Sequence, residues 1–376
     1  MPIDGKPGAL VAYYVSDHGY GHATRSVAAI RALIANDANV EIVVKTASPL
    51  EFIRRSLPQH RVHLSTRWND VGLVLYPGCF QVDVTATRGA VERWVGRWPV
   101  WMEEERRFWR ERPPSVIVSD VAPQPLLLAQ ELGVPGVLVS NFTWHEMYTP
   151  LMEGHMALGV LRDAYCTASL GVALPMGGSL LSTVQRQVGW LVRRTGRSRD
   201  AVRQALGVGG DKPLVYVSFG RAVQGMEQKV LAGRKLPFRV VVPEGITGLP
   251  GTIHLPASDT ESQDYIGACD LVVSKAGFST IAEAVAENVP MLLLRRDEVP
   301  EDRRSLAYIE GQSFGKGASG ADFQDGTWVD MAVAVLQERQ RYAEAYQASR
   351  PDLSGAERTA DAILKAASAG VTSRQM

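Results

Sequence analysis

The loop that follows the first apolar segment carries two histidines, the side chains best suited to proton transfer near neutral pH. It reads SDHGYGHATR, with His18 and His22 separated by glycines and His22 near the start of a predicted helix. A histidine in that position can serve as a general base when a carboxylate orients its ring. Asp120 is the predicted partner, because it ends another apolar strand in the same half of the chain. The alternative is that Asp120 is purely structural and caps a loop.

The stretch Asp270–Arg296 has the residue types of a phosphate-binding turn between a strand and a helix. After an apolar run, Gly277 frees the backbone to turn sharply, and Ser279 or Thr280 is predicted to cap the helix that follows. A helix N-terminus attracts anions, because unpaired N–H groups and the helix dipole point there together. Glu283, one turn inside, could accept hydrogen bonds from two hydroxyls of a ribose. The alternative is an ordinary crossover unit with a surface glutamate.

A second copy of this pattern lies earlier in the chain. Val116–Ser140 aligns without a gap with Leu271–Arg295 at a constant offset of 155 residues, with six identical positions. Two copies predict two similar βαβ-built lobes, each with its own parallel sheet. The informative differences are Gly277, Ser279, Thr280 and Glu283, which the first copy replaces with Ala122, Gln124, Pro125 and Leu128. The same scaffold is therefore predicted to be polar and ready for phosphate in one lobe and apolar in the other.

Length and composition limit the classes of protein to which the chain can belong. With 376 residues it suits two domains of ordinary size. Lys plus Arg equals Asp plus Glu at 40 each, which gives no electrostatic case for nucleic acid or an anionic membrane. Cys79, Cys166 and Cys269 lie far apart, which argues for a reducing compartment and against a zinc site. Without a signal peptide or a membrane-length apolar run, we expect a cytoplasmic protein with no membrane span and no metal.

Three further segments are predicted to be structural. Tryptophans at near-helical spacing are predicted to fill the core of the first lobe, with a membrane or binding surface as the alternative; they are Trp94, Trp98, Trp101 and Trp109. The acidic run Glu103–Glu105 is predicted to be a solvated helix face. The basic cluster of Arg193, Arg194, Arg197 and Arg199 is predicted to be a solvated linker helix.

Three motifs together carry a family resemblance. GHATR after HGY, SKAGFSTIAEA and RRDEVPED resemble the glycosyltransferase-like amino-terminal half of the L-arabinokinases. More distantly, the chain is similar to the inverting GT-B glycosyltransferases, including the peptidoglycan N-acetylglucosaminyltransferase and the UDP-sugar-dependent glucosyltransferases. The resemblance covers roughly Leu10 to Leu364. G-x-G-H alone is a weak signal, and its combination with G-x-x-T-x-x-E at this separation is more specific.

The resemblance implies an α/β protein of GT-B type, with two Rossmann-like parallel-sheet domains facing a cleft. The expected boundaries are an acceptor-binding domain at 1–175, a linker at 176–186 and a nucleotide-sugar-binding domain at 187–350. Residues 351–376 are expected to form a closing helix and tail that packs back on the first domain. The L-arabinokinases also carry a kinase domain after this region. The sequence has no residues left to form one, so the resemblance does not imply kinase activity.

The resemblance also implies roles for individual residues. His22 matches the catalytic base, Asp120 falls where many relatives carry the aspartate that orients it, and Glu283 matches the carboxylate that binds the nucleotide ribose. The residues expected to hold the diphosphate are Gly220, Arg221, Gly277, Phe278, Ser279 and Thr280. From its position beside this loop, Lys275 is a candidate to neutralise the diphosphate charge, and the alternative is that it is simply exposed. The acceptor is expected to contact His18, Gly21, Trp144 and Tyr148, with Trp68, Phe80 and Trp94 in the surrounding loops. Asp302–Arg303 is the nearest match to the Asp-Gln pair that reads the donor sugar in many relatives, and this departure leaves the donor sugar open.

These expectations combine into one leading hypothesis and two alternatives. The leading hypothesis is an inverting glycosyltransferase that uses a nucleotide diphosphate sugar, UDP-linked, as co-substrate and needs no other cofactor. No Asp-x-Asp metal-binding element accompanies the motifs, so we expect a metal-independent reaction. The first alternative is a nucleotide-sugar hydrolase or epimerase on the same fold. The second is a non-catalytic module that binds a nucleotide sugar, although such a module has no need for a base.

Overall fold

The computed structural model describes residues 8–58, 60–78, 80–209, 212–219, 231, 234–243 and 249–374, and for 371–374 the backbone alone. The strands are β1 (Leu10–Val15), β2 (Glu41–Thr46), β3 (Val62–Thr66), β4 (Val116–Asp120), β5 (Gly136–Ser140), β6 (Leu170–Ala173), β7 (Gln185–Gln187), β8 (Leu214–Ser218), β9 (Arg239–Val242), β10 (Thr252–His254), β11 (Leu271–Lys275), β12 (Met291–Leu294) and β13 (Gly315–Ala318). The helices are α1 (Tyr20–Asn36), α2 (Leu50–Ser56), α3 (Val84–Gly96), α4 (Trp98–Trp109), α5 (Gln124–Glu131), α6 (Trp144–Tyr148), α7 (Met156–Cys166), α8 (Arg199–Ala205), α9 (Ser262–Ala268), α10 (Phe278–Ala286), α11 (Pro300–Gly311), α12 (Gly320–Asp325), α13 (Trp328–Gln337), α14 (Arg339–Ser349) and α15 (Gly355–Arg374).

The first of two units comprises Met1–Val74, Val82–Leu191 and Leu353–Met376. Its seven strands form a parallel sheet in the order β3-β2-β1-β4-β5-β6-β7. Parallel strands buried on both faces need continuous apolar sequence, and β1 is buried along its whole length. Helix α15, from the end of the chain, packs against α1 in this unit.

The second unit comprises Leu75–Gln81 and Val192–Asp352. Its six strands form a second parallel sheet in the order β10-β9-β8-β11-β12-β13. The short insert Leu75–Gln81 contributes Phe80 to the core of this unit, where its ring lies 5.5 Å from that of Phe219 and 6.4 Å from that of Phe323. Phe80 is therefore a core residue of the second unit and not part of an acceptor loop in the first.

The repeat found in the sequence is a repeat in the structure. The first copy folds as β4–α5–β5 and the second as β11–α10–β12, and the equivalent strands begin at positions that differ by 155. In each copy the two strands are parallel neighbours in the sheet. The predicted fold class, two Rossmann-like parallel-sheet α/β domains, is confirmed.

Several local predictions need correction. The expected linker 176–186 lies inside the first unit, because β7 pairs with β6 and the units divide at Leu191. The basic cluster does not form a solvated helix: Arg193 is buried, and helix α8 begins only at Arg199. Glu105 is fully buried and pairs with the buried Lys45, so the acidic run is not uniformly solvated.

The tryptophans predicted to be in the core, Trp94, Trp98, Trp101 and Trp109, are all buried. Among the described residues, no helix is both long enough and apolar enough to cross a membrane.

Candidate active site

His22 and Asp120 meet at the carboxyl edge of the first sheet. Val15, the last residue of β1, pairs in register with Asp120, the last residue of β4, and α1 begins just beyond β1. Gly19 precedes the helix with φ 79°, a conformation that favours glycine. His22 Nδ1 lies 2.7 Å from Asp120 Oδ1, and both side chains are buried. The structure therefore brings together the two residues expected to form a base and its orienting acid.

A buried arginine shares the same carboxylate. Arg25 Nε donates to Asp120 Oδ2 at 2.8 Å, and Arg25 Nη2 donates to Asp120 Oδ1 at 2.6 Å. Ser26 Oγ donates to Oδ2 at 2.9 Å. Arg25 is a site residue that the sequence motifs do not single out. The available signal was its spacing, since residues three apart on a helix lie on one face, and Arg25 follows His22 by three.

The electrostatic environment keeps Asp120 ionised. Burial by itself would raise the pKa of the Asp120 carboxyl, but the positive charge of Arg25 and the interaction with His22 outweigh burial and hold that pKa well below its ordinary value. An ionised carboxylate accepts a hydrogen bond from His22 Nδ1 and leaves Nε2 as the basic nitrogen. The arrangement can therefore abstract a proton from a hydroxyl.

The backbone just after Asp120 is strained. Val121 has φ 70°, which is a genuine outlier for a β-branched residue. Its carbonyl accepts a hydrogen bond from Tyr165 Oη at 2.5 Å, and that oxygen in turn accepts one from the Trp144 backbone N–H at 2.9 Å. Tyr165 is fully buried. The surrounding structure thus imposes the turn that positions the Asp120 side chain.

The histidine loop is held by an aspartate that the sequence did not single out. Asp17 Oδ1 accepts hydrogen bonds from the backbone N–H groups of Ala47 at 2.9 Å and Ser48 at 2.6 Å. Asp17 Oδ2 accepts from the Asn69 N–H at 2.7 Å. The Asn69 amide then donates to the carbonyls of Val15 and Lys45. These bonds fix the loop before His18 to the ends of β2 and β3.

The aromatic residues expected to contact an acceptor lie behind the loop. Trp144 and Tyr148 stack with centroids 5.3 Å apart and are 1% and 0% exposed. Trp144 Nε1 donates to Asp70 Oδ2 at 2.9 Å, and the His18 ring packs edge-on against Trp144 at 5.5 Å. Direct contact of these two rings with an acceptor is incompatible with this burial; they support His18, which is half-buried, from behind.

The exposed side of the first site carries different aromatic residues. Gly21 is exposed in the first turn of α1, and Tyr20 beside it is partly exposed. Trp68, next to the loop-anchoring Asn69, is 55% exposed. Trp94 is instead buried, and its Nε1 donates to the Asn69 carbonyl at 2.8 Å. Of the aromatic residues predicted for the acceptor side, Trp68 is the one that the structure leaves accessible to a ligand.

In the second unit, helix α10 begins directly after β11. Its N-cap is Gly277, so the prediction that Ser279 or Thr280 caps the helix is wrong; both lie inside its first turn. Gly277 has no side chain to cap the first N–H groups, and Lys275, at the end of β11, extends alongside it. The first-turn residues Phe278, Ser279 and Thr280 thus form a helix N-terminus of the kind that binds anions.

Glu283 already accepts hydrogen bonds from other side chains of the protein. Its Oε1 accepts hydrogen bonds from Arg193 Nε at 3.2 Å and Nη2 at 2.7 Å, and its Oε2 accepts one from Ser262 Oγ at 2.8 Å. Glu283 and Arg193 are both buried. A carboxylate has about four acceptor positions, so a ribose hydroxyl would have to share this carboxylate with Arg193 and Ser262.

The remaining residues that were predicted to bind the nucleotide sugar fall into three groups. Asp302 is buried and accepts a hydrogen bond from Arg296 Nε at 2.7 Å; burial raises the pKa of its carboxyl despite that neighbour. Arg303 is exposed and donates to the Asp297 carbonyl at 3.4 Å. The two therefore do not form a matched pair like the Asp-Gln pair of the relatives. Gly220 and Arg221 lie outside the described residues.

Comparison with solved structures identifies the architecture. The glycosyltransferase of kitacinnamycin matches with a TM-score of 0.62 at 16% identity, over 96% of this chain and 100% of that one. Arabidopsis thaliana UGT89C1 complexed with quercetin matches with a TM-score of 0.67 at 12% identity, over 96% and 99% of the two chains. The chain has the GT-B fold. In this GT-B protein, the histidine loop lies in the N-terminal sheet unit and the Gly277 turn in the C-terminal one.

Sequence comparison gives two curated relatives of this GT-B protein. L-arabinokinase of Arabidopsis thaliana is 27% identical over 396 aligned residues, which cover 94% of this chain and 36% of the arabinokinase. An uncharacterized glycosyltransferase of Methanopyrus kandleri is 25% identical over 235 residues, which cover 57% of this chain and 66% of that protein. The chain thus spans about a third of the arabinokinase. No protein-family model matches it.

Proposed function

We propose that this protein transfers a sugar from a nucleotide diphosphate sugar, UDP-linked, to an acceptor hydroxyl by a metal-independent inverting displacement. The observation that carries the proposal is the buried pair of His22 and Asp120, 2.7 Å apart at the edge of the first sheet. A protein that only binds ligands has no use for an oriented base. The GT-B fold and the similarity to a curated glycosyltransferase support the same reaction class. A cytoplasmic location belongs to the same proposal.

The first unit supplies the base. Asp120 accepts the Nδ1–H of His22, and Nε2 takes the hydroxyl proton of the acceptor as its oxygen attacks the anomeric carbon. The new carbon–oxygen bond forms as the bond from the anomeric carbon to the diphosphate oxygen breaks, and the electron pair leaves with the diphosphate. A single displacement of this kind inverts the configuration at that carbon.

The second unit holds the leaving group. The N–H groups at the start of α10 and the nearby Lys275 would neutralise the negative charge that develops on the diphosphate. Glu283, fixed by Arg193 and Ser262, would accept hydrogen bonds from the ribose with its remaining acceptor capacity. UGT89C1, whose fold this chain shares, has been solved complexed with UDP, which favours a UDP-linked donor.

Calorimetric titration of UDP, GDP, dTDP and CMP tests the donor half of the proposal. We expect one nucleotide, UDP, to bind the parent protein. Glu283→Gln keeps the side-chain volume and should weaken that binding by several-fold, because the substituted amide has one acceptor oxygen in place of two. The matched control is Glu287→Gln, the same change just past the other end of α10, which should bind as the parent does. Absence of binding by all four nucleotides would contradict the donor assignment.

Product analysis with the preferred nucleotide sugar then distinguishes the reaction types. Transfer to a hydroxyl acceptor with inverted anomeric configuration is the expected result. Rapid release of free sugar, or of an isomeric nucleotide sugar, without any acceptor would favour the hydrolase or epimerase alternative. Binding without turnover across a broad acceptor panel would favour a non-catalytic module.

A further inference from the structure

We propose that Arg25 is a positioning residue that keeps His22 neutral, with its proton on Nδ1, by holding a second positive charge beside the imidazole. The inference rests on the proposed function, since a base requires an unprotonated Nε2. Arg25 would not touch the substrates. It would act through His22 and Asp120, and its effect would depend on pH.

The guanidinium of Arg25 is held in one orientation. Its side chain is buried, and each of its three nitrogens has an acceptor. Nε donates to Asp120 Oδ2 at 2.8 Å, Nη1 donates to Asn141 Oδ1 at 2.6 Å, and Nη2 donates to Asp120 Oδ1 at 2.6 Å, with Ser140 Oγ 3.4 Å away. A buried arginine with this many partners cannot turn away from Asp120, so its charge is a fixed feature of the site.

These contacts also assign the proton on His22. Arg25 Nη2 lies 2.9 Å from His22 Nδ1, yet an arginine nitrogen can only donate. The two Nη2 hydrogens have acceptors in Asp120 Oδ1 and Ser140 Oγ. His22 Nδ1 then bonds to Asp120 Oδ1 at 2.7 Å only if it carries its own proton. The neutral ring therefore has its proton on Nδ1 and its lone pair on Nε2.

The charge balance at His22 follows from the same geometry. An ionised aspartate alone favours the doubly protonated imidazolium, which is useless as a base. Arg25 offsets the charge of Asp120 and also repels a positive charge on the ring 2.9 Å away. The histidine therefore remains oriented by Asp120 without being driven into its charged form.

The other groups packed around the pair do not supply this charge. Tyr13 on β1 faces Asp120, and burial raises the pKa of its phenol, so it stays neutral. The rings of Phe142 and Trp144 contact His22 with centroids at 5.8 Å and 6.5 Å. Asp70 lies on the far side of Trp144, bonded to its Nε1. In the described part of the chain, Arg25 is a positive charge that contacts both His22 and Asp120.

An NMR titration of the His22 ring tests the inference without any substrate. The chain has seven histidines, and His22→Gln assigns the signals of His22. In Arg25→Met, which keeps much of the volume and loses the charge, the titration midpoint of His22 should rise by about one pH unit or more. In Arg25→Lys, which keeps the charge, it should stay closer to the parent value. An unchanged midpoint in Arg25→Met, or equal midpoints in the two variants, would overturn the inference.

A second pair of variants covers the case in which Arg25→Met does not fold. In the Asp120→Asn background the change Arg25→Met no longer strands a buried carboxylate. The midpoint of His22 should again rise when the arginine is removed from that background, and a constant midpoint would overturn the inference. If the midpoints shift as expected but no glycosyl transfer is found, the proposed function fails and the electrostatic role of Arg25 stands.

The pH dependence of kcat/KM gives an independent measurement once an acceptor is known. In Arg25→Met the acidic limb should move to higher pH, so that activity on that limb falls by up to about tenfold per pH unit of the shift while activity on the plateau at higher pH changes by less than about twofold. Arg25→Lys should restore most of the activity at the lower pH. A uniform loss at every pH would show that Arg25 is merely structural and would overturn the inference.

Discussion

The two copies of the strand–helix–strand repeat place their charged groups at opposite positions. In the first copy the acid, Asp120, ends strand β4, and in the second the equivalent residue is Lys275. In the second copy the acid, Glu283, lies one turn inside helix α10, where the first copy has Leu128. One scaffold thus presents an anion at the strand end in one unit and a cation in the other.

The helix starts differ in a way that follows directly from the sequence. Helix α5 has Pro123 at its N-cap and Pro125 in its first turn, and proline has no backbone N–H to offer to an anion. Helix α10 has Gly277 at its N-cap and begins with Phe278 and Ser279, and all three residues have a backbone N–H. The comparison teaches that a helix N-terminus becomes an anion site only when its first residues can donate.

The largest expected effect comes from removing the proposed base of the first unit. His22→Ala removes the proposed base, so the transfer rate should fall by about 10²–10⁴-fold while nucleotide binding to the second unit persists. Steady-state kinetics and calorimetry with the same preparations measure the two quantities. His63→Ala, at an exposed position on β3, is the control and should be fully active. Parent-like activity of the His22 variant would remove His22 from the mechanism.

The next effect concerns the arginine that accompanies the acid of the second copy. Arg193→Met leaves Glu283 as a buried, unpaired charge, which should lower the free energy of unfolding by about 3–5 kcal/mol. Arg199→Met is the matched control. Arg199 also pairs with an acid, Asp270, but the arginine side chain is 44% exposed, so the loss should be about 0–1 kcal/mol. Urea unfolding of the two variants measures the difference. Equal losses would show that burial of the Arg193–Glu283 pair has no special cost.

A pH effect on stability should come from Asp70 of the first unit. The buried Asp264 and Glu283 of the second unit each pair with an arginine, whereas Asp70 lies beside another acid, Asp17. Burial and the charge of Asp17 raise the pKa of Asp70 to about 7. Between the unfolded value of 3.8 and about 7 the folded protein therefore holds a proton that the unfolded chain has lost, so stability falls as pH rises and levels off above 7.

Asp70→Asn removes that dependence. The stability of the parent relative to the variant should decline by at most about 1.4 kcal/mol per pH unit from pH 4 to 7 and then remain constant. Urea unfolding at pH 5, 6, 7 and 8 measures the difference. Parallel pH profiles for parent and variant would mean that Asp70 is ionised in the folded protein throughout this range.

The smallest expected effect comes from a substitution that makes the second copy of the repeat more like the first. Thr280→Pro places a proline in α10 where the first copy has Pro125, and it removes one N–H from the proposed diphosphate site. Nucleotide binding should weaken by about tenfold, the value of one hydrogen bond to a charged group. Thr280→Ala keeps the N–H and should bind nearly as the parent does. Circular dichroism confirms that the helix remains, and equal affinities for the two variants would argue against this turn as the anion site.

The sequence was sufficient to predict those features that depend on short, local patterns or on general rules of sheet topology. The gapless repeat predicted both sheets, because apolar strand runs and turn glycines are read within about 25 residues. The pairing of His22 with Asp120 could be predicted because the carboxyl ends of neighbouring parallel strands meet at one edge. Both predictions used fold rules that hold for any sequence with these elements.

The arginine partners could not be predicted in the same way. Arg25 lies 95 residues from Asp120, and Arg193 lies 90 from Glu283. In the sequence Arg193 looks like an ordinary surface arginine. The spacing of Arg25 three residues after His22 indicates a shared helix face, but it does not show which buried carboxylate the arginine meets. Trp144 was predicted to contact the acceptor because an aromatic residue just beyond a strand end is typical of a ligand-binding wall. Its ring is buried instead, and its N–H donates to Asp70, which is distant in the sequence.

The packing of α15 against α1 has a consequence for how the chain folds during synthesis. Asn36, the last residue of α1, bonds to Asp361 at 3.1 Å, and Gly370 lies against Pro135. The first unit therefore needs residues from both sides of the second unit, whose main segment, Val192–Asp352, is complete before α15 is made. On the ribosome the second unit should finish first, and the first should close only after α15 has emerged.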